Sequence, residues 1–337
     1  MQKNRREIIQ SFGAVGALGA AALAFGQAPR RAVAAEGDAG AATDYLSGPY
    51  LDLRTPGDNQ IAYARLASDL DESKQRPGWF KGYVMGVRPG EAIRDLFGFA
   101  GFGVSRLETQ PDGAIARVLR EVGFYTDLRS GEILEEWHNP YLDETVPVVP
   151  IANDPFNMVI RDHFSRPPQF GGLNEADVRP VEPFLLPWQQ VGERLQMERH
   201  IHLHYPSALD PEVWVRESSG ERVRVSEFFA YSLNGADMQN PDLTAVPSHG
   251  VWNRTTPWLP WMLMGQAEGH CQYACFMGSG EDLEQIHDRA LLDYTEKHYA
   301  KYFNAPETYH PDTPSLSSLE MYEIEQTPAP PKQDAGE

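Results

Sequence analysis

The chain is 337 residues long, with 48 acidic and 29 basic residues and a formal charge of −19 at neutral pH. An acidic excess of that size repels phosphate backbones and anionic lipid, which argues against nucleic-acid partners and against stable association with a membrane surface. The length accommodates one large domain or two modest ones.

Lys3, Arg5 and Arg6 open the chain, and a weakly apolar stretch rich in Ala and Gly follows over residues 12–25. Ala32-Val33-Ala34 then offers a small-residue cleavage site, with Arg30 and Arg31 just ahead of it. Basic, apolar and small-residue regions in that order mark an export signal. Arg5-Arg6 followed by Ile8-Ile9 resembles the twin-arginine pattern, although Asn4 and Ile8 replace its usual Ser or Thr and Phe. The apolar stretch, about 14 residues, is shorter than the roughly 20 that span a bilayer. The expectation is a twin-arginine signal peptide over 1–34, read by the twin-arginine export machinery, and a mature protein that is periplasmic or secreted. Its removal takes away five basic residues and one acid, moving the charge from −19 to −23.

A disordered leader is expected over 35–48, a single β-rich domain over 49–326 and a disordered, Pro-rich tail over 327–337. Ile61, Tyr63 and Leu66 among charges predict a short helix within 58–76. Aromatic and β-branched residues at 79–87 predict a strand that stops at Arg88-Pro89-Gly90. Residues 91–97 have the composition of a helix start, and 103–109 that of a strand ending at Gln110-Pro111-Asp112-Gly113. Alternation over 115–125, a turn at 127–131 and a return over 132–137 predict a hairpin. Further strands are expected at 145–151, 156–160, 194–205, 223–231 and 270–277, with a loop at 165–187. Leu283, Ile286, Ala290, Leu291 and Tyr294 recur at helical spacing, which predicts a helix over 282–302. Many short strands between turns predict a mainly β protein, an antiparallel barrel or sandwich with a few peripheral helices. The two cysteines, Cys271 and Cys275, stand about 13 Å apart if they share a strand, beyond disulfide reach. Two reduced, buried thiols are expected.

Several clusters occur together: Trp79-x-x-Gly82, Arg88-Pro89-Gly90-Glu91, Leu96-Phe97-Gly98-Phe99, and Arg120-Glu121-Val122-x-x-Tyr125-x-Asp127. Gly131-Glu132-Ile133-Leu134 leads into Trp137-x-Asn139-Pro140, and Ala152-Asn153-Asp154-Pro155 follows. This set resembles the bacterial family known as domain of unknown function 1838, from about residue 50 to residue 310. The resemblance implies an export signal and a fold neighbourhood, and it carries no settled activity.

Four constellations carry possible chemistry. On a strand, Glu198, His200, His202 and His204 share one face, while Arg199, Ile201, Leu203 and Tyr205 share the other. Histidines two apart can hold one metal, but the outer pair are about 13 Å apart, so a metal site needs two of them plus His138, Asp154 or His270. The competing reading is a polar face turned to solvent. Tyr125 and Asp127 come near His138 if the predicted hairpin forms, and all three side chains suit proton transfer. Alternatively, Asp127 caps a turn and Asn139-Pro140 ends a strand. Asp154 and Arg161 can present a carboxylate and a guanidinium to a ligand, or Asp154-Pro155 simply turns the chain. Trp252, Arg254, Trp258 and Trp261, with Met262 and Met264, can wall an apolar pocket or close the core.

No Gly-x-Gly-x-x-Gly, P-loop, Gly-x-Ser-x-Gly or His-Glu-x-x-His occurs, which removes the commonest nucleotide, serine-hydrolase and zinc-protease signals. The reading is an exported enzyme of lyase type acting on a small aromatic or apolar molecule by cofactor-free acid/base chemistry, with carbon–carbon cleavage of a phenolic compound as the specific case. His200, His202, Tyr125, Asp127 and His138 are the proton-transfer candidates, and Trp252, Arg254, Trp258 and Asp154 the substrate contacts. Two alternatives stand beside it: an enzyme holding a divalent transition metal on His200, His202 and His204, and a non-catalytic barrel that binds a small ligand.

Overall fold

A computed structural model describes residues 43–164, 182–312 and 315–331. The signal peptide, most of the leader, most of the 165–187 loop and the end of the tail lie outside the described residues. Inside them the leader and tail expectations need correcting. The Tyr45 amide donates to Gln190 Oε1 at 2.8 Å, and the Ala329 amide donates to Glu217 Oε1 at 2.6 Å. Both segments are tied to the domain by hydrogen bonds that composition does not reveal.

The first helix, α1 (Pro56–Ala67), starts where Thr55 caps it by accepting from the Asp58 amide and Pro56 takes a first-turn position, where its missing N–H costs nothing. Three long strands follow: β1 (Arg76–Val87), β2 (Arg94–Thr109) and β3 (Ile115–Thr126). Residues 94–97 belong to β2, where Arg94, Asp95 and Phe97 pair with Gly86, Met85 and Val84 of β1 and Leu96 and Phe97 are buried, so no helix starts there. Past β3 the predicted hairpin goes no further than one bridge, Thr126 to Ile133. The chain instead forms a separate pair, β4 (Glu136–Asn139) with β5 (Glu144–Pro147). Strand β3 is flanked by β2 on one side and by β6 (Ile151–Asn153) and β7 (Met158–Ile160) on the other, which leaves only its last residues for the returning chain.

The second half of the sheet comprises β8 (Trp188–Val191), β9 (Arg194–Pro206), β10 (Arg222–Asn234), β11 (Ser248–Thr256) and β12 (His270–Ser279). A short helix, α2 (Gly235–Met238), follows β10. The antiparallel order is β6-β3-β2-β1-β12-β11-β10-β9-β8, and β7 also pairs with β3, making ten strands. The ladder does not close into a barrel, yet its two ends approach each other. Met158 of β7, paired in register with Arg117 of β3, lies 3.8 Å from Arg199 of β9.

Glycine makes the curl possible at one place in particular. A Cβ on Gly123 would stand 2.7 Å from the Phe99 ring and 3.1 Å from the Phe80 ring. Its absence lets Phe80 and Phe99 stack inside the concavity at 5.1 Å.

One end of the concavity is closed by α1, whose Tyr63 and Leu66 pack with Leu107, Ile115, Ile160, Leu195, Met197 and Leu233. The outer face of β2 and β3 is covered by the C-terminal helices. The helix expected over 282–302 is interrupted: α3 (Leu283–Ile286) ends at His287, and α4 (Arg289–Tyr299) restarts after Asp288. Leu291 and Leu292 of α4 pack with Phe102, Val122 and Phe124. A last helix, α5 (Ser318–Glu325), opens with a capping box between Ser317 and Glu320. Cys271 and Cys275 are free and buried, and burial pushes both thiols up to about 12.

His287 sits in the break between α3 and α4, 4% exposed, with its ring 6.2 Å from that of Phe102. Burial, assisted by the charge on Lys81, pushes its imidazole down to about 4. An unfolded chain takes up this proton near pH 6.5 and the folded one resists until about 4, so the unfolded state binds more protons in between and stability falls as the pH drops. The expected loss from this residue is about 2 kcal/mol between pH 7 and pH 5. Urea unfolding at the two pH values measures it, and His287→Leu removes that part of the slope.

Candidate functional site

Period-two alternation sends one set of side chains from each strand into the concavity. Strand β3 contributes Arg117, Glu121 and Tyr125, β11 contributes Trp252 and Arg254, and β12 contributes Tyr273. From β10 come Glu227, Phe229 and Tyr231, and from β9 Arg199 and Tyr205. Aromatic rings link the strands: Phe99 contacts Tyr125 at 5.1 Å and Tyr273 at 5.1 Å, and Trp252 contacts Tyr273 at 5.6 Å.

The phenols of Tyr125 and Tyr273 share a hydrogen bond of 2.9 Å. Burial pushes both well above the ordinary tyrosine value, so they stay protonated and serve as donors. The Arg254 guanidinium stands 5.9 Å from the Tyr273 ring centre, and its Nη1 lies 3.7 Å from Glu227 Oε1. Burial works against the charge on Arg254, and Glu227 with the surrounding tyrosines more than offsets it. Glu121 accepts from Asn153 Nδ2 at 3.1 Å. Burial, and then the neighbouring charge of Glu227, push its carboxyl upward, which favours the protonated acid.

Tyr125, Arg254, Tyr273 and Tyr205 line a partly enclosed cavity together with Trp258, Trp261, Leu319 and Tyr322. It encloses about 70 Å³ of free space, enough for roughly five waters. Deeper in, the side chains of Arg254 and Glu227 keep 23% and 18% of their surface uncovered although they lie far from the outside. That surface faces interior space. Two donors on this wall, Arg254 Nε and Trp252 Nε1, are buried with no hydrogen-bond partner among the described residues, which suits a site built to receive acceptor atoms.

The structure thus gathers Tyr125, Trp252, Arg254 and Trp258, of which Trp258 is fixed by a 3.1 Å bond from its indole N–H to the Ala267 carbonyl. The other sequence candidates lie elsewhere. Glu198, His200, His202 and His204 are exposed on the outer face of β9. His200 lies 3.5 Å from Glu198, His202 bonds Ser226 Oγ at 3.0 Å, and His204 accepts from Arg222 at 3.1 Å. Alternation along β9 is as expected, but the opposite phase points inward: Leu195, Met197, Ile201 and Leu203 are apolar and carry Arg199 and Tyr205 in with them. The imidazoles therefore have no access to the enclosed space, and the expectation that His200 and His202 line a cavity is corrected: the opposite face of β9 lines it. Nor do His138, Asp154 or His270 join them, and among the described residues no three His, Cys, Asp or Glu side chains converge on a metal position.

Asp127 is half-buried and accepts from the Arg129 and Ser130 amides at 2.9 and 2.8 Å. It caps its own turn. His138 faces Asp143 at 3.3 Å on the separate β4–β5 pair, because the hairpin that would have carried it to Tyr125 does not form. Asp154 binds Arg120 at 2.9 Å and Lys301 at 2.7 Å on the side of β3 facing the C-terminal helices, where it anchors that layer. Arg161 pairs with Asp112 at 2.6 Å.

Sequence reading missed Arg117, Glu121, Glu227, Tyr231 and Tyr273. A usable signal existed for each: a charged or phenolic residue in phase with the apolar positions of a strand, as Tyr273 is with Cys271 and Cys275, and Glu121 with Leu119.

No curated protein matches the chain. The family model described as a protein of unknown function, DUF1838, matches residues 74–325, a span that runs from the start of β1 to the end of α5 and includes every strand of the concavity. The chain belongs to the DUF1838 family.

Proposed function

We propose that this protein is an exported enzyme that admits a small aromatic molecule to the concavity of the sheet and moves a proton on it. The supporting observation is the 2.9 Å pair of raised, buried phenols, Tyr125 and Tyr273, on the wall of a cavity beside Arg254. A substrate oxygen placed there accepts a hydrogen bond from a phenol that has little tendency to ionise. Negative charge that develops on the oxygen as a neighbouring bond breaks is stabilised by that donor and by the guanidinium. Elimination or carbon–carbon cleavage next to an aromatic ring has this charge pattern, and the Tyr205, Trp258 and Trp261 rings that line the cavity suit an aromatic body. Tyr125 and Tyr273 take over from the histidines as the hydrogen-bond donors that carry the developing charge. The carboxylate form of Glu121, made more basic by burial, takes up and later returns the proton, and no organic cofactor is needed.

Trp252, Trp258 and Trp261 make the site self-reporting. Titration of the mature protein with a panel of hydroxylated aromatic compounds is expected to quench tryptophan fluorescence saturably. Incubation followed by mass spectrometry is expected to show conversion of at least one member. Saturable quenching with every compound recovered unchanged favours a non-catalytic ligand-binding protein instead. No quenching by any member refutes the reading.

A further inference from the structure

The far half of the concavity holds charges that the proton-transfer chemistry does not use. Arg117 and Arg199 project inward from β3 and β9, at the seam where the two ends of the sheet approach. The Arg199 guanidinium lies over the Tyr63 ring at 5.0 Å and donates to the Tyr63 hydroxyl. Arg117 Nε is buried and has no hydrogen-bond partner among the described residues. Neither guanidinium has an ion-pair partner there either, since the carboxylate Glu227 is engaged with Arg254. Glu121, four residues from Arg117 on the same strand face and so about 13 Å along it, is driven toward its neutral form. Burial disfavours the charge of Arg117, and a cation so placed without a matching anion is costly to keep in a folded protein. Such an excess is what a site for an anion looks like before the anion arrives.

Resting on the reading of the concavity as a substrate chamber, we propose that Arg117 and Arg199 seat the carboxylate of an aromatic substrate, whose ring lies along Phe229 and Trp252 and whose reacting end reaches Arg254 and Tyr273. The rings of Phe229 and Trp252 stack at 6.3 Å between the two groups of charges, and Arg199 pairs in register with Phe229 and Phe229 with Trp252. A flat monoanion matches two guanidinium planes. A phosphate dianion fits less well, because Glu227 shares the space and repels the second charge.

Calorimetric titration of the mature full chain with benzoate, methyl benzoate and inorganic phosphate tests this. Benzoate is expected to bind, and Arg117→Gln and Arg199→Gln are each expected to weaken it about thirtyfold or more, with methyl benzoate bound equally by parent and variants. Unchanged benzoate affinity in the variants, or an equal loss for the ester, overturns the proposal. Phosphate binding as tightly as benzoate overturns the carboxylate assignment. The melting temperature of unliganded Arg117→Met provides a check independent of binding: it is expected to equal or exceed the parent's, because an unpaired cation has been removed, and a fall of several degrees marks Arg117 as structural. If neither benzoate nor methyl benzoate binds, the substrate-chamber reading fails as well. An ester that binds while benzoate gains nothing from the arginines removes the carboxylate seat alone.

Discussion

Replacing Tyr125 by Phe is expected to lower the turnover number of the converted substrate about 10²–10⁴-fold, the usual worth of a positioned proton donor, while leaving saturable fluorescence quenching in place. The substitution deletes one oxygen and keeps the ring against Phe97 at 5.0 Å, Phe99 at 5.1 Å and Trp261 at 5.1 Å. The packing that shapes the cavity therefore survives. What is lost is the hydroxyl bonded to Tyr273 at 2.9 Å, at a cost in stability of about 1 kcal/mol for the buried partner left behind. Steady-state kinetics with a parallel thermal melt separates the two effects. A variant that melts slightly lower and turns over slowly supports the phenol pair as the donor that stabilises the developing charge. If Tyr125→Phe and Tyr273→Phe both turn over at the parent rate, the pair belongs to the core and the mechanism lies elsewhere.

The largest expected effect on stability is at Arg65. Its guanidinium is fully buried and donates to four backbone carbonyls: Nε to Leu243 at 2.9 Å, Nη1 to Met238 at 2.6 Å, and Nη2 to Asp237 at 3.1 Å and Asn240 at 2.7 Å. These carbonyls belong to α2 and the turn that follows it, where helix ends leave acceptors unpaired. The Arg65 guanidinium also stacks on Tyr50 at 5.1 Å. One side chain thus joins α1 to the segment between β10 and β11. Arg65→Leu strands all four acceptors in an apolar surround and is expected to cost about 3–5 kcal/mol. Arg65→Lys keeps the charge but lacks the planar fork, so an intermediate loss is expected. Urea midpoints of the parent and the two variants give the order directly. A Leu variant within about 1 kcal/mol of the parent would refute this account.

Strand existence was widely legible because the alternation of β1, β3, β9, β10 and β12 is strong. Trp188–Val191 and Ser248–Thr256 were not recognised as strands, the first because it is short and the second because Trp252 and Arg254 stand close to a Pro-rich stretch. The break at His287 was hidden too, since Leu283, Ile286 and Leu291 keep helical spacing across it. Periodicity constrains which residues share a face, whereas a break in backbone direction is decided by what α3 and α4 must each cover.

The site was half legible for the same reason. Tyr125, Trp252, Arg254 and Trp258 were singled out because aromatic and cationic side chains in mainly apolar strands are conspicuous. The histidines of β9 were conspicuous as well, and they misled. Polar residues in an alternating strand occupy the solvent phase by default, and the phase of Leu195, Met197, Ile201 and Leu203 points to the interior. Arg199 lies in that phase yet draws no notice in the sequence.

The sequence by itself determined the acidic charge, the family, the mainly β class and the two-fold alternation of each long strand, because these depend on local spacing and composition. Only the tertiary structure decided which phase faces inward across ten strands and which distant residues meet. Tyr125 and Tyr273 are 148 positions apart in the chain, and their contact follows from the curl of the sheet, a sum of strand twists and glycine gaps that no single segment encodes.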